Sequence, residues 1–479
     1  MKLEENRTLR AQRHASGAPV NTAADFSSWI VRNLPGEDEK YVAIAPGRLD
    51  VLGGVAEYTG GLVLAVPLAE HACVGVQRRT DGLLHITRHH SASGNGAAPC
   101  EILLARFRGD DGSWLSPPAG REMLRPYGDM IACCAGTIIE AMRTGALGAL
   151  SGGMSLAIAS DLEDVSGVGV FAAASSAVLV SAAALTHEVM EPNVAALISQ
   201  TLENDWLESP VGPADALCAL LGEANGLTQL RCDNRTLGST LPLPCDLRLV
   251  AIDSGHSQPG HCEKYAQVRT ATFMGRLLID RIVRHEGLLA KQWDGYLSRI
   301  SVNDYVEHLR DRLPTKMSGR EFLDRFGETG DRLTRIDPKQ TYKIRSRTEH
   351  HVYEHARSRQ FVEAIARGIR NDDRSAFVDA GSAMNASHWS GGQRCGMGSA
   401  PANSLVNALR KADPAAGIFG SRIAGRGCGG MVAVLAEDSQ AAQQVLEDSI
   451  EAYARDYNVP ARILTGSLAG AMVRGAVRV

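Results

Sequence analysis

The sequence predicts an α+β fold in two domains, and three features lead there. Short alternating β-branched runs crowd the first third of the chain, helix-length runs fill its middle, and two strand-like runs followed by a helix close it. A length of 479 residues with 44% hydrophobic content exceeds the usual single core, so two domains are expected. The prolines of "LPLPC" place the division near Pro244, giving a flexible tail over 1–22, an N-terminal domain over 23–244 and a C-terminal domain over 245–479.

Each element follows in order. "MKLEENRTLRAQRH" is polar and charged with no apolar h-region, so it reads as a loose tail and not as a signal peptide. Ala23–Asn33 reads as the first helix and Tyr41–Ile44 as a strand. "GGLVLAVPL" (60–68), "ACVGVQRR" (72–79) and "LLHITRH" (83–89) read as three more strands, in a largely antiparallel sheet. Helices are expected at "GDMIACCAGTIIEAMR" (128–143) and "AAASSAVLVSAAALTHEVM" (172–190), with the strand "GGMSLAIAS" (152–160) between them. "DLRLVAIDSG" (246–255) opens a mostly helical block that runs to about Lys411. "GIFGSRIAGRGCGGMVAVLAED" (417–438) supplies late strands, and a last helix starts at Ser439.

Composition narrows the function. Net charge is −4 and the basic residues form no tract, which speaks against a nucleic-acid partner. Ten cysteines without a CxxC pair suggest neither a zinc knuckle nor a disulfide framework, and a reducing cytoplasm fits them. Val165–Leu185 carries no charge but is mostly Ala, Ser, Gly and Val, so it reads as a glycine loop entering a buried helix and not as a membrane span.

Three glycine-rich pieces carry the chemistry: "PGRLDVLGGVAEYTGG" (46–61), "GVGVFAAASSAV" (167–178) and "GSRIAGRGCGG" (420–430). The last two satisfy GxGxxG/A, but Gly167 follows the acidic spacer "DLED" instead of a strand, and Gly425 precedes a strand instead of a helix. No GxxxxGK[ST] is present. A glycine loop that leaves backbone N–H groups uncovered at the positive end of a helix is still an anion site without any lysine.

In sequence order these pieces resemble the three motifs of the GHMP small-molecule kinases. The chain is similar to their galactokinase branch and, within it, to the kinase domain of plant L-arabinokinases. "IDSG", "YAQVRTATFMGRLLI" and "CGMGSAPANSLV" add to the likeness, which runs from about Ala45 to Leu435, with residues 285–345 left outside it. The resemblance implies a two-domain GHMP kinase fold, with an N-terminal ribosomal-S5-like domain and a C-terminal ferredoxin-like domain carrying a helical insertion. It implies ATP-dependent phosphorylation of a monosaccharide at the anomeric hydroxyl, of the L-arabinose or D-galactose type, with ATP and Mg²⁺ and with small molecules as the only partners.

Residue by residue, "LENDWLESPVGPADAL" aligns with the stretch that holds the family's base and metal ligand. Asp215 would take or orient the proton of the sugar hydroxyl beside Arg48, and Glu203 would ligate Mg²⁺ together with Ser175 or Ser176. Such a division suits phosphoryl transfer, which needs positioning and charge neutralisation more than covalent help. Gly167, Gly169, Ala174, Ser175, Ser176, Gly425 and Gly427 would hold the nucleotide; Asp50, Glu57, Tyr58 and Tyr265 would hold the sugar. The chain departs from the family in four places, one of them Glu57, where the resembling kinases have an aspartate. Val-Gly-Pro-Ala-Asp-Ala stands for Cys-Gly-x-Met-Asp-Gln, Phe-Ala-Ala-Ala-Ser-Ser stands at the triple-serine loop, and Arg426 replaces a glycine. The eroded loop motivates an alternative, a non-catalytic sugar and ATP sensor on the same fold. A second alternative is a zinc peptidase, because "HVYEH" (351–355) fits H-x-x-E-H.

Overall fold

The computed structural model describes residues 23–34, 36–89, 99–148, 150, 152–165, 167–256, 261–412, 414–425 and 430–479. The chain divides into two units: one takes in the chain up to Arg48, Val66–Thr228 and Leu464–Val479, the other Leu49–Ala65 and Gln229–Ile463. Strands β1 (Lys40–Leu52) and β2 (Leu62–Arg78) each run across a boundary of this division.

In the first unit, β1 and β2 join β3 (Leu83–Arg88), β4 (Cys100–Leu103) and β5 (Met154–Ser160) in the order β1-β2-β5-β3-β4, with the C-terminal Val477–Arg478 beside β1. Pairing is antiparallel except for β3 with β5. Helix α1 (Ala23–Asn33) covers the sheet with Phe26, Ile30 and Leu34, packed on Val42, Cys73, Ala157 and Ala159. Helices α2 (Asp129–Arg143), α3 (Val170–Thr186) and α4 (Ala214–Leu221) complete this unit's main helical layer, together with Pro192–Thr201. The strands expected at 60–68 and 72–79 are one strand. Pro67 lies inside β2; its carbonyl accepts from Ser467 Oγ at 2.7 Å and the next carbonyl, of Leu68, accepts from Leu468 N at 3.1 Å.

In the second unit, β6 (Gly226–Arg231), which begins just before the boundary, pairs with β7 (Thr236–Pro242). Strand β8 (Leu247–Asp253) lies in a sheet ordered β9 (Ile418–Ile423), β10 (Met431–Glu437), β8, β11 (Arg462–Leu464). Between β8 and β9 come the helices α5 (His261–Glu286), α6 (Ile344–Asn371), α7 (Arg374–Ser390) and α8 (Ala400–Lys411); α9 (Gln440–Tyr457) follows β10. The segment 285–345 brings its own core: Leu297, Tyr305, Leu309, Phe322 and Tyr342 pack with Met274 of α5 and Ile344 of α6. Helix α7 lies directly on β9. A Cβ on Gly381 would stand 2.0 Å from the Phe419 carbonyl oxygen, and one on Gly420 would stand 2.5 Å from the Gly381 Cα.

The α+β class and the GHMP-type organisation expected from sequence are what the molecule has. Among the described residues, no helix is long and apolar enough to cross a membrane, and the uncharged Val165–Leu185 stretch becomes a 3₁₀ end, a glycine turn and the 17-residue α3. The cysteines whose side chains are described are all free.

Candidate active site

The glycine turn before α3 is built as the sequence suggests. Gly167 and Gly169 both take left-handed φ, 77° and 75°, and Gly169 caps α3 with no side-chain hydrogen bond. The first N–H groups of the helix therefore point back at this turn without intrahelical acceptors. Arg48 N donates to the Val168 carbonyl at 2.9 Å, which ties "PGR" to the turn. Arg48 then reaches Asp215, Nε to Oδ1 at 2.6 Å, both side chains buried. A Cβ at Gly169 would lie 3.0 Å from the Asp215 Cβ and Cγ, so only glycine lets the carboxylate approach the turn this closely.

Glu203 sits in a π-helical turn, Leu202–Trp206, with its side chain buried. Such turns recur at functional sites because they widen a helix by one residue. Its charge acts on Cys133, whose thiol is pushed well above its ordinary pKa by burial first, then by Cys134 and Glu203. The same thiol donates to the Phe171 carbonyl at 3.5 Å in the first turn of α3. Arg48, Asp215, Gly167, Gly169 and Glu203 are thus gathered around the start of one helix. Sequence reading missed Asn204, which closes the loop behind this turn: its Oδ1 accepts Val211 N at 2.7 Å. The signal was the "EN" pair itself, in which only the acid was given work.

The serines are placed differently. Phe171–Ser176 is helix and not loop, and Ala174, Ser175 and Ser176 lie in its second turn, fully buried. Ser175 Oγ accepts from Thr137 Oγ1 at 3.1 Å, while Ser176 Oγ has no hydrogen-bond partner among the described residues. Val170, Phe171 and Ala172 occupy the first turn, so it offers backbone N–H groups and no hydroxyl.

The sugar candidates gather separately, in the second unit. A 3₁₀ turn, Gly54–Thr59, is flanked by Gly53 and Gly60 at φ 94° and 80° and carries buried Glu57. Tyr58 stacks on Phe273 with centroids 5.7 Å apart, meets Tyr265 edge-on at 5.9 Å and lies under the Arg269 guanidinium at 4.7 Å. Arg269 is held in turn by Asp331, from the segment 285–345, at 3.1 Å. Asp50 is fully buried and occupied: Arg422 Nη1 donates to its Oδ2 at 3.1 Å and Gly54 N to its Oδ1 at 3.1 Å. Arg422 was not singled out in sequence. Gly425 takes left-handed φ 66° after β9, and Gly427 and Arg426 lie outside the described residues.

The H-x-x-E-H segment is structural. His351 Nδ1 donates to the Arg347 carbonyl at 2.8 Å, so its Nε2 accepts from Tyr58 OH at 2.8 Å. Glu354 pairs with Arg357 at 3.0 Å and accepts from Ser387; burial raises its pKa, but His350, Arg357 and Arg422 outweigh this and hold it at about 2. His355 Nδ1 accepts Leu62 N at 3.1 Å. Among the described residues, no three His, Cys, Asp or Glu side chains are grouped to hold a metal ion. A zinc peptidase is not favoured.

Comparisons with known proteins bear on the fold and on the family. Residues 362–454 match the family model described as GHMP kinases C terminal. The chain is 29% identical to L-arabinokinase of Arabidopsis thaliana, covering 100% of this chain and 49% of that protein, so it spans about half the length of that relative. It is 26% identical to galactokinase of Roseiflexus, over 82% of this chain and 83% of that one. Among solved structures, Lactococcus lactis galactokinase complexed with galactose matches with TM-score 0.67 and 18% identity, covering 92% of this chain and 95% of that one. Methanococcus jannaschii mevalonate kinase matches at 0.52 and 10%, covering 88% and 96%. The chain therefore has the GHMP kinase fold, carries the GHMP kinase C-terminal domain over 362–454, and resembles the galactokinase branch, L-arabinokinase included.

Proposed function

We propose that this protein is a cytoplasmic sugar kinase that transfers the terminal phosphoryl group of ATP to the anomeric hydroxyl of a monosaccharide, giving a sugar 1-phosphate of the L-arabinose or D-galactose type. One observation carries the reading: the buried Arg48–Asp215 pair stands against the glycine turn that opens α3. A carboxylate held at a helix's positive end, where phosphate oxygens are favoured, is placed to accept a hydroxyl proton beside the transferring group. The printed names of the relatives, L-arabinokinase and galactokinase, support the substrate class.

In this reading Asp215 takes the sugar proton and Arg48 orients it. The nucleotide phosphates meet the N–H groups of the turn Gly167–Gly169 and of the first turn of α3, and Gly425 and Gly427 keep the nucleotide role that the third motif's resemblance implies. Ser175 and Ser176 lie one turn behind the first N–H groups of α3, and we give the metal role to Glu203. A single carboxylate suits Mg²⁺, which is commonly held by one or two carboxylates plus phosphate oxygens and water, and which neutralises phosphate charge when bound. Glu57 and Tyr265 face the sugar; Asp50 and Tyr58 hold the turn that presents Glu57. Glu57 is one methylene longer than the aspartate of the resembling kinases, which leaves less room and favours a pentose over a hexose. Glu57→Asp is expected to raise kcat/KM for D-galactose relative to L-arabinose by about 10-fold or more.

The test is ADP release over a panel of pentoses, hexoses and uronic acids, with phosphorus NMR to locate the phosphate. Release with one sugar and a phosphate on its anomeric oxygen supports the proposal. No release with any sugar would favour the sensor, and phosphate on another oxygen would sink the 1-kinase reading.

A further inference from the structure

A cavity of about 400 Å³ lies wholly within the second unit, walled by Gly60, Gly61 and Leu62 just after the 3₁₀ turn. Its size falls within the roughly 300–1,000 Å³ of small-ligand pockets. None of the sugar or nucleotide candidates lines it.

Three arginines do, Arg231, Arg299 and Arg359. Arg299 is engaged by Asp233 at 2.7 Å and Asp294 at 3.1 Å. Arg231 and Arg359 stand 3.7 and 3.8 Å from the carboxylates of Asp233 and Glu363, beyond hydrogen-bond length. Their planar forks keep N–H donors for a further acceptor, and carboxylate and phosphate are the groups such forks match.

Neutral donors complete the wall. His355 Nδ1 accepts the Leu62 N–H, which places the ring proton on Nε2, and no described residue accepts it. Burial, then Arg359 with Arg299 and Arg231 against the opposing pull of Asp233, lowers this histidine to about 4, so the ring is neutral near pH 7. The Ser298 hydroxyl, also in the wall, is buried with no partner among the described residues. Leu62 and Val362 add an apolar face. Three arginines face two carboxylates in this wall, Asp233 and Glu363, and neither Arg231 nor Arg359 is hydrogen-bonded to the carboxylate it pairs with.

We propose that this cavity is a second ligand site, which binds a small organic oxyanion through Arg231 and Arg359 with His355 Nε2–H and the Ser298 hydroxyl as neutral donors. The oxyanion is a phosphate monoester or a carboxylate on a body of few carbons, since the cavity holds both a charged rim and an apolar wall.

The test titrates the full chain calorimetrically with glycerol 3-phosphate, with citrate and with uncharged glycerol. Neither anion is a sugar or a nucleotide, so the outcome does not depend on the kinase reading. Arg231 and Arg359 are 51% and 64% exposed, so the double variant Arg231→Gln/Arg359→Gln is expected to fold, with circular dichroism as the check. One of the two anions is expected to bind and glycerol not to; which anion binds names the source. The double variant should bind at least about tenfold more weakly, through loss of two charge-assisted hydrogen bonds, and Asp215→Asn should bind as the wild type does. The proposal is overturned if neither anion binds, if the double variant binds as tightly as wild type, or if Asp215→Asn abolishes binding.

Discussion

Arg48 and Asp50 stand two residues apart on β1, and each is half of a buried arginine–aspartate pair, yet the two pairs are built for different ends. Asp50 is tied from several directions. Arg422 Nη1 donates to its carboxylate, to its own carbonyl at 3.3 Å and to the Val51 carbonyl at 3.3 Å, and Gly54 N takes the other carboxylate oxygen. Asp215 is held from the Arg48 side, in the first turn of α4, against a glycine that leaves room beside it. A fully ligated carboxylate fixes a turn; one gripped from a single side beside an open helix end is available to a substrate. The same two residue types thus do scaffold work in one region and, in the proposed reading, chemistry in the other.

The widest separation should come from replacing each aspartate by asparagine. Asp215→Asn is expected to lower kcat by about 10² or more, because proton acceptance goes while volume stays. Near-normal turnover would move the base elsewhere. Asp50→Asn is expected instead to show in the urea midpoint, with a loss approaching the about 3–5 kcal/mol typical of removing one partner from a buried ion pair. If its stability holds and its turnover collapses, the contrast drawn between the pairs is wrong.

Acid should separate the regions next. Burial lowers His350 to about 3, and His351, His355 and His388 to about 4, all in the second unit. An unfolded histidine binds its proton at about 6.5 and these do not, so the unfolded state binds more protons as pH falls below about 6.5. Stability is therefore present above pH 6.5 and lost as pH falls from there towards 4. Glu354, lowered to about 2, adds a loss of the same sign below pH 4.5. Hydrogen exchange at pH 5 should show amides of α6 losing protection before those of α2; the reverse order would contradict the assigned neutral histidines.

The smallest effects should come from the serines. Ser175→Ala is expected to cost about 1 kcal/mol by losing the bond to Thr137, and Ser176→Ala, whose hydroxyl has no partner, close to nothing. Turnover should survive both. A kcat loss of about tenfold or more in either would return a serine to the metal.

Legibility followed the range of the interactions. Helix α2 could be read from Gly128 and the periodic apolar run after it, and α3 from its alanines, because both signals are local. β2 was divided at Ala69–His71, where Glu70 and His71 interrupt the apolar run; a partner that holds the strand there, Asp161 Oδ1 accepting from His71 N at 2.7 Å, is 90 residues away. Val477–Arg478 closing on Tyr41 and Val42 had no local mark at all. At the site, Arg48, Asp215 and the two turn glycines were legible through motif order, whereas the serines were assigned to a loop because hydroxyls near glycines look like a phosphate cradle. The helix begins at Val170, and that start decides which side chains face the turn. Arg422 and Asp331 were invisible, since a single arginine or aspartate in a helical or strand context carries no sign of the distant partner that buries it.

The meeting of Gly381 and Gly420 has a consequence for the freedom of this sequence to change. Most buried positions can drift when a neighbour shrinks to make room, but here the neighbour on each side is main chain, which cannot shrink. The two codons are locked together with no compensating route: a step away from glycine at either one is blocked whatever stands at the other. In a saturation library of this chain, selected only for folding, both positions should return glycine alone, even where Asp215 has been allowed to vary.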